Sequence, residues 1–203
     1  MDPAAVTRTH LSESSWVVHC QGWLPDADSA IEALAIELEW RQEYLNMFGK
    51  SLAQPRLTAV CGVSMDPASR YRRSNPVTPW APAAGYVRDR VEGVVAGWRP
   101  NGLIANRYRD GQDSIGWHSD SEPALGHHPV VVSVSLGESR VLLLRPREGG
   151  PRRAFELAHG DLFVMGGATQ KEFVHSISKV GRPVGERISL TFRKYLVDDA
   201  GPR

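Results

Sequence analysis

Cysteine is scarce in this 203-residue chain: only Cys20 and Cys61 occur, 41 positions apart. That spacing excludes a CxxC metal or redox pair and leaves no disulfide framework. It fits two ordinary buried thiols in a reducing, cytoplasmic setting. Long apolar runs are missing too. No stretch reaches the roughly 18 residues that a membrane span needs, so no membrane association is expected. The opening residues MDPAAVTRTH carry an early Asp and no apolar segment, which argues against a signal peptide. Lysine is rare, with 4 Lys against 20 Arg. Arg favours bidentate contacts to phosphate or carboxylate, although genome composition produces the same bias. Internal repeats and low-complexity tracts are absent. So is the HExxH motif of zinc hydrolases.

What is present suits one domain, or one domain with an N-terminal addition. Hydrophobic residues make up 41% of the chain, enough for a core. The net charge of +1 conceals an uneven distribution. Residues 1–40 carry −6, residues 41–110 carry +6 and the remainder +1. A basic middle third can hold a polyanion locally in a nearly neutral protein.

Residues 16–24 read as a short strand. Ser29 and Glu32 form a capping-box pattern, which predicts a helix to about Tyr44 with Ile31, Leu34 and Leu38 on one face. Phe48-Gly49-Lys50 marks a turn before a strand near residues 57–63. Residues 64–82, rich in Ser, Pro and Arg, read as a long loop. Thr78-Pro79 reads as a helix start, with an apolar stripe of Val87, Val91, Val94 and Trp98. After Asn101 the period shortens to two. Strands are expected at 103–108, 115–120, 130–136, 140–146, 153–158, 161–166, 173–177 and 187–195. The fold class is α+β, mostly β: a double-stranded β-helix (jelly roll) core with N-terminal helices on one face.

Two groups of residues bear on chemistry. His118 and Asp120 alternate onto one face of a strand, and His175 lies on another. Two His and one carboxylate are the ligand set of non-haem Fe(II) oxygenases, leaving coordination positions for a co-substrate and O2. An HxD pair alone arises by chance about 0.4 times at this composition, and a strand-end His bonded to its neighbouring Asp accounts for it equally well. The second group is Arg187-Ile-Ser-Leu-Thr-Phe-Arg193, in which Arg187, Ser189, Thr191 and Arg193 share a face. Two Arg about 20 Å apart along a strand can embrace a small dicarboxylate or form a solvated face. Asn106 and Tyr108 share a face of their own strand and can add hydrogen bonds.

Order and spacing together carry more than either group. NRY at 106–108, HSD at 118–120, VVSVSLG at 131–137, AHGDLFVM at 158–165, VHSI at 174–177 and RISLTFRKY at 187–195 resemble the AlkB family of nucleic-acid dealkylating dioxygenases. The resemblance covers roughly residues 44–195. Met47-Phe48-Gly49-Lys50 and Gln54-Pro55-Arg56 look like the branch acting on double-stranded DNA.

The resemblance implies Fe(II) bound by His118, Asp120 and His175, with 2-oxoglutarate bound by Asn106, Tyr108, Arg187, Thr191 and Arg193 and O2 consumed. It implies removal of alkyl groups from N1-methyladenine and N3-methylcytosine in DNA, by hydroxylation and loss of formaldehyde. Phe48, Gly49 and Lys50 would form a hairpin finger, Tyr71 and Arg73 would lie in a nucleotide-recognition loop, and Glu122 would contact the exocyclic edge of the flipped base. Ser189 stands where many relatives have Asn. An Arg at 73 replaces an aromatic, so Arg73, Tyr71 or Trp117 could stack on the base. His127, His128 and His159 are expected to face solvent.

Residues 1–100 would then carry helices and recognition loops, residues 101–195 the jelly-roll core and residues 196–203 a tail. The whole is expected to be one integrated, monomeric unit acting on alkylated DNA. The alternatives are a related dioxygenase acting on RNA or protein and a catalytically silent nucleic-acid-binding jelly roll.

Overall fold

The period-two pattern after Asn101 produces strands at every expected place. The computed structural model describes residues 5–47, 49–62 and 77–196. Its elements are β1 (Val6–His10), β2 (Ser15–Cys20), α1 (Ala27–Glu37), β3 (Arg41–Met47), β4 (Lys50–Gly62), α2 (Pro82–Val91), β5 (Gly102–Tyr108) and β6 (Ile115–His118). A short 3-10 turn follows at Pro123–Leu125. Then come β7 (Val131–Gly137), β8 (Arg140–Pro146), β9 (Arg153–Leu157), β10 (Leu162–Gly167), α3 (Thr169–Glu172), β11 (Phe173–Ile177) and β12 (Arg187–Arg193).

Two antiparallel sheets form the double-stranded β-helix. The larger runs β1-β2-β10-β7-β12-β5-β4-β3 and the smaller β6-β11-β8-β9. Leu142, Leu144, Phe173 and Ile177 of the small sheet pack with Val17, Val131, Phe163 and Met165 of the large one. The outer face of the large sheet carries Val132, Val134, Ile188, Leu190 and Phe192, covered by Leu34 of α1 and Val87 and Val91 of α2. Strand β12 is therefore buried on both faces along its whole length.

The N-terminal third departs from expectation. Helix α1 starts at Ala27 and ends at Glu37, and Ser29 lies within it. Asp26 occupies the N-cap without a side-chain capping bond, because its carboxylate accepts from the Tyr86 hydroxyl at 2.7 Å. Leu38 turns extended while its N–H still donates to the Leu34 carbonyl at 3.3 Å, and the Trp40 indole donates to the same carbonyl at 3.2 Å. Residues 41–44, expected as the end of the helix, instead begin strand β3, which forms a hairpin with β4 around Gly49, where φ is +73°. Helix α2 begins at Pro82, not Pro79. Thr78 is engaged elsewhere, its amide and hydroxyl each donating to Val60 O at 3.0 Å.

Strand β1 was not expected at all. It covers the edge of β2, and its residues are mostly exposed. Glu172 ties the β1–β2 turn down, accepting from the hydroxyls of Ser12, Ser14 and Ser15 at 2.6–2.7 Å. These three bonds hold its carboxyl at about 2.

Candidate active site

His118 ends β6, and its backbone pairs directly with His175 on β11. The two imidazole rings lie 4.2 Å apart between centroids. His118 Nδ1 meets the Gly116 carbonyl at 2.8 Å. A carbonyl only accepts, so the proton sits on Nδ1 and Nε2 keeps its lone pair for a metal. Burial lowers the pKa of His118. It lowers His175 to about 3, with help from His118. Both rings are thus neutral donors.

Asp120 lies just past β6. Its backbone N–H donates to Gln170 Oε1 at 2.9 Å. Burial pushes its carboxyl up, but Arg193 and then the two His outweigh that and bring it to about 2. One oxygen accepts from Arg193 Nη2 at 2.5 Å. The other, Oδ2, is sealed from solvent without a hydrogen bond and stands 3.8 Å from His175 Nε2. Among the described residues no three donors are converged as a finished metal shell. Even so, two neutral imidazoles beside an orphaned carboxylate oxygen are a donor set that fits Fe(II).

The cavity behind these groups is lined by Asn106, Tyr108, Ser133, Ser189, Thr191, Arg187 and Arg193, with Leu142, Leu157 and Met165 closing it. Polar residues face inward because the alternation of β12 sends its apolar residues outward to the helices. Arg187 is 1% exposed. Its Nε donates to Ser135 Oγ at 2.9 Å, its guanidinium carbon lies 5.2 Å from the Tyr108 ring centroid, and its Nη1 has no partner among the described residues. A buried cation with an unused donor suits an anionic ligand, such as one carboxylate of 2-oxoglutarate. Arg193 sits differently, bound to Asp120 with its Nε unpaired.

Residues to which the sequence assigned no role in the site complete it. Arg56 Nε and Thr58 Oγ1 donate to Asn106 Oδ1 at 2.8 and 3.3 Å. They thereby direct the Asn106 amide nitrogen elsewhere as a donor. Arg140, 2% exposed, donates to the carbonyls of Asp110, Asp113 and Ser178 and lies against Tyr108. Alternation of buried Gln54, Arg56 and Thr58 on β4 was the available signal. For Gln170 and Arg140 there was none, since their partners are distant in sequence.

Gln170 gives a testable case. Gln170→Leu removes the acceptor that fixes the Asp120 backbone and should weaken Fe(II) binding about 10- to 100-fold. Anaerobic metal titration measures this without turnover, and an unchanged affinity would make Gln170 a packing residue.

A groove of about 390 Å³ meets the cavity at Ile115 and His118, lined by Glu43, Tyr44, Leu52, Gln54, Arg56 and Trp117 among others. One expected stacking group is already engaged: the Arg145 guanidinium lies 4.4 Å from the Trp117 ring centroid. Gly49 and Lys50 are exposed at the hairpin turn. Glu122 lies near enough to Arg193 to favour its charged form but is not among the groove's lining residues. Phe48, Tyr71 and Arg73 lie outside the described residues. His127 and His128 are exposed as expected. His159 is not merely solvent-facing: its Nδ1 accepts from Gly137 N at 2.8 Å, and Nε2 lies 3.3 Å from Asp28.

The family model for the 2OG-Fe(II) oxygenase superfamily matches residues 17–193. Alpha-ketoglutarate-dependent dioxygenase alkB homolog 3 of Bos taurus is 34% identical over 99% of this chain and 71% of its own length. The Homo sapiens homolog 3 is 35% identical over 87% of this chain and 64% of its own. DNA oxidative demethylase ALKBH2 of Arabidopsis thaliana is 30% identical over 92% of this chain and 68% of its own. The chain thus spans about two thirds of these relatives.

Among solved structures, OsALKBH1 superposes with a TM-score of 0.61 at 18% identity, covering 93% of this chain and all of that one. A 2OG-Fe(II) oxygenase family protein from Burkholderia pseudomallei gives 0.53 at 17% identity, covering 84% and 79%. These two share the fold. Sequence, fold and the gathered donors agree: the chain belongs to the 2OG-Fe(II) oxygenase superfamily and, within it, to the AlkB homologues.

Proposed function

We propose that this dioxygenase removes alkyl groups from N-alkylated DNA bases, with N1-methyladenine and N3-methylcytosine as substrates, while 2-oxoglutarate is converted to succinate and CO2. Bound by His118, Asp120 and His175, Fe(II) supplies the activation of O2 needed to oxidise the alkyl carbon. Arg187 binds one co-substrate carboxylate, and Asn106, Tyr108 and Thr191 orient the molecule. Arg193 holds Asp120 ionised, and its Nε, without a partner among the described residues, remains available to donate. Leu142, Leu157 and Met165 keep water out of the reaction space. The base, extruded from its strand, occupies the groove beside His118. Once its N-methyl group is hydroxylated, the carbon leaves as formaldehyde.

The observation that carries this reading is a pair of adjoining pockets that share Ile115 and His118 in their linings. One holds the metal donors and the buried Arg187, whose Nη1 has no partner among the described residues, and the other is the groove of about 390 Å³. The relatives named DNA oxidative demethylase support DNA as the polymer. The finer assignments belong to the same proposal: a monomer in the cytoplasm, with Phe48, Gly49, Lys50, Tyr71, Arg73 and Glu122 touching the substrate strand.

The test is turnover on matched single- and double-stranded oligonucleotides carrying N1-methyladenine, with RNA of the same sequence alongside. Succinate and formaldehyde should appear in equal amounts on DNA. Succinate without formaldehyde on every DNA substrate would overturn the reading, and formaldehyde from RNA alone would change the polymer.

A further inference from the structure

The floor of the groove holds a polar pair that no step above uses. Between Gln42 and Tyr44 the register of β3 against β4 shifts. Gln42 pairs with Leu57 and Tyr44 with Ala53, so Glu43 alone opposes Gln54, Pro55 and Arg56. Such a bulge re-aims a side chain. The Gln42 side chain secures it by donating to the carbonyls of Gln54 at 2.6 Å and Glu43 at 3.1 Å. As a result Glu43, on an edge strand of a projecting hairpin, is only 3% exposed and lines the groove.

Glu43 fixes the orientation of Gln54. Gln54 Nε2 donates to Glu43 Oε2 at 2.8 Å. A carboxylate only accepts, so the amide cannot be turned around without placing two oxygens against each other. Gln54 Oε1 accordingly points away from Glu43. It accepts no hydrogen bond from any described residue, and it is not among the sealed atoms. Gln54 lines the same groove as His118, and its Oε1 is neither sealed nor already accepting, so it is an oriented acceptor available to that groove.

We propose that Gln54, locked by Glu43, accepts a hydrogen bond from the exocyclic amine of the bound base and so selects amino bases over oxo bases. This rests on the proposed function and names a determinant of its substrate class. N1-methyladenine and N3-methylcytosine carry an amine next to the methylated nitrogen and a positive charge at neutral pH. Their N–H groups are therefore strong donors. N3-methyluracil presents a carbonyl at the same place. Two facing acceptors leave both unsatisfied, which is how a polar site rejects a near-isostere.

The experiment compares formaldehyde release from single-stranded oligonucleotides carrying N3-methylcytosine or N3-methyluracil, as the ratio of the two kcat/KM values. Both substrates are run on one preparation, so losses of folded protein cancel. Wild type should favour N3-methylcytosine, and Gln54→Leu should cut that preference about tenfold, the value of one charge-assisted hydrogen bond. Glu43→Gln, nearly isosteric, frees the Gln54 amide to reverse and should also lower the ratio. If Gln54→Leu is too unstable to assay, Glu43→Gln decides alone. Ratios within about twofold of wild type in the assayable variants overturn the inference while leaving the demethylase reading intact. Wild type that releases formaldehyde from neither base overturns the demethylase reading and this inference with it.

Discussion

His118→Ala is expected to abolish turnover on every substrate while leaving the fold in place. The loss should exceed about 100-fold, since disturbing a ligand's supporting group alone costs 10- to 100-fold in a metal site. The same removal at Asp120 is a less clean experiment. Asp120 is the ion-pair partner of Arg193, and both are about 95% buried. Asp120→Ala would strand a buried cation, a cost of about 3–5 kcal/mol, so instability and lost chemistry would be confounded. His118 is partly exposed and bonds only to the nearby Gly116 carbonyl, so its truncation leaves the core intact. The measurements are succinate release, metal affinity by anaerobic titration and the thermal midpoint. Wild-type metal affinity in His118→Ala would refute the ligand assignment.

The second large effect is at Arg187. Arg187→Ala should raise the apparent 2-oxoglutarate constant roughly 10- to 100-fold, corresponding to about 1.5–3 kcal/mol for a hydrogen bond to a charged group. DNA binding should change little, because Arg187 lies at the closed end of the cavity, away from the groove. Arg187→Lys separates charge from geometry: it keeps the cation and loses the planar fork, so only partial recovery is expected. Arg193→Ala belongs to another class. Its guanidinium is committed to Asp120, so metal affinity and stability should fall along with co-substrate binding. If the 2-oxoglutarate constant is unchanged in Arg187→Ala, the unpaired Nη1 does not receive the co-substrate.

The legible part of this fold is the part whose residues alternate. In β12 the sequence Arg-Ile-Ser-Leu-Thr-Phe-Arg divides into two faces by eye, and the two faces go where alternation sends them. His118 was legible for the same reason, whereas Asp120, expected on the same strand, lies just past its end and is set by its own bonds to Gln170 and Arg193. Strand β3 was not, because Arg-Gln-Glu-Tyr-Leu-Asn-Met favours helix locally and becomes a strand through pairing with β4. Strand β1 has no buried face to announce it. The capping pattern at Ser29 misled because Asp26 and Leu38 set the helix ends through contacts with Tyr86 and Trp40. Within the site, direct donors were readable from spacing, whereas the residues that hold them were not. Arg56 meets Asn106 across 50 positions, and Gln170 meets Asp120 across another 50. Partners at that distance meet only once the sheets have closed.

Strand β12 is a party wall between two tenants. Ile188, Leu190 and Phe192 face the helices, while Arg187, Ser189, Thr191 and Arg193 face the cavity. Consecutive residues share one backbone, so neither side can be remodelled in private. A smaller side chain at Leu190 leaves a void that the strand settles toward, and a 1 Å displacement is enough to spoil a catalytic geometry. Substitutions in the helix layer are therefore expected to alter 2-oxoglutarate affinity as well as stability. Improving either side by laboratory evolution will select compensating changes on the other.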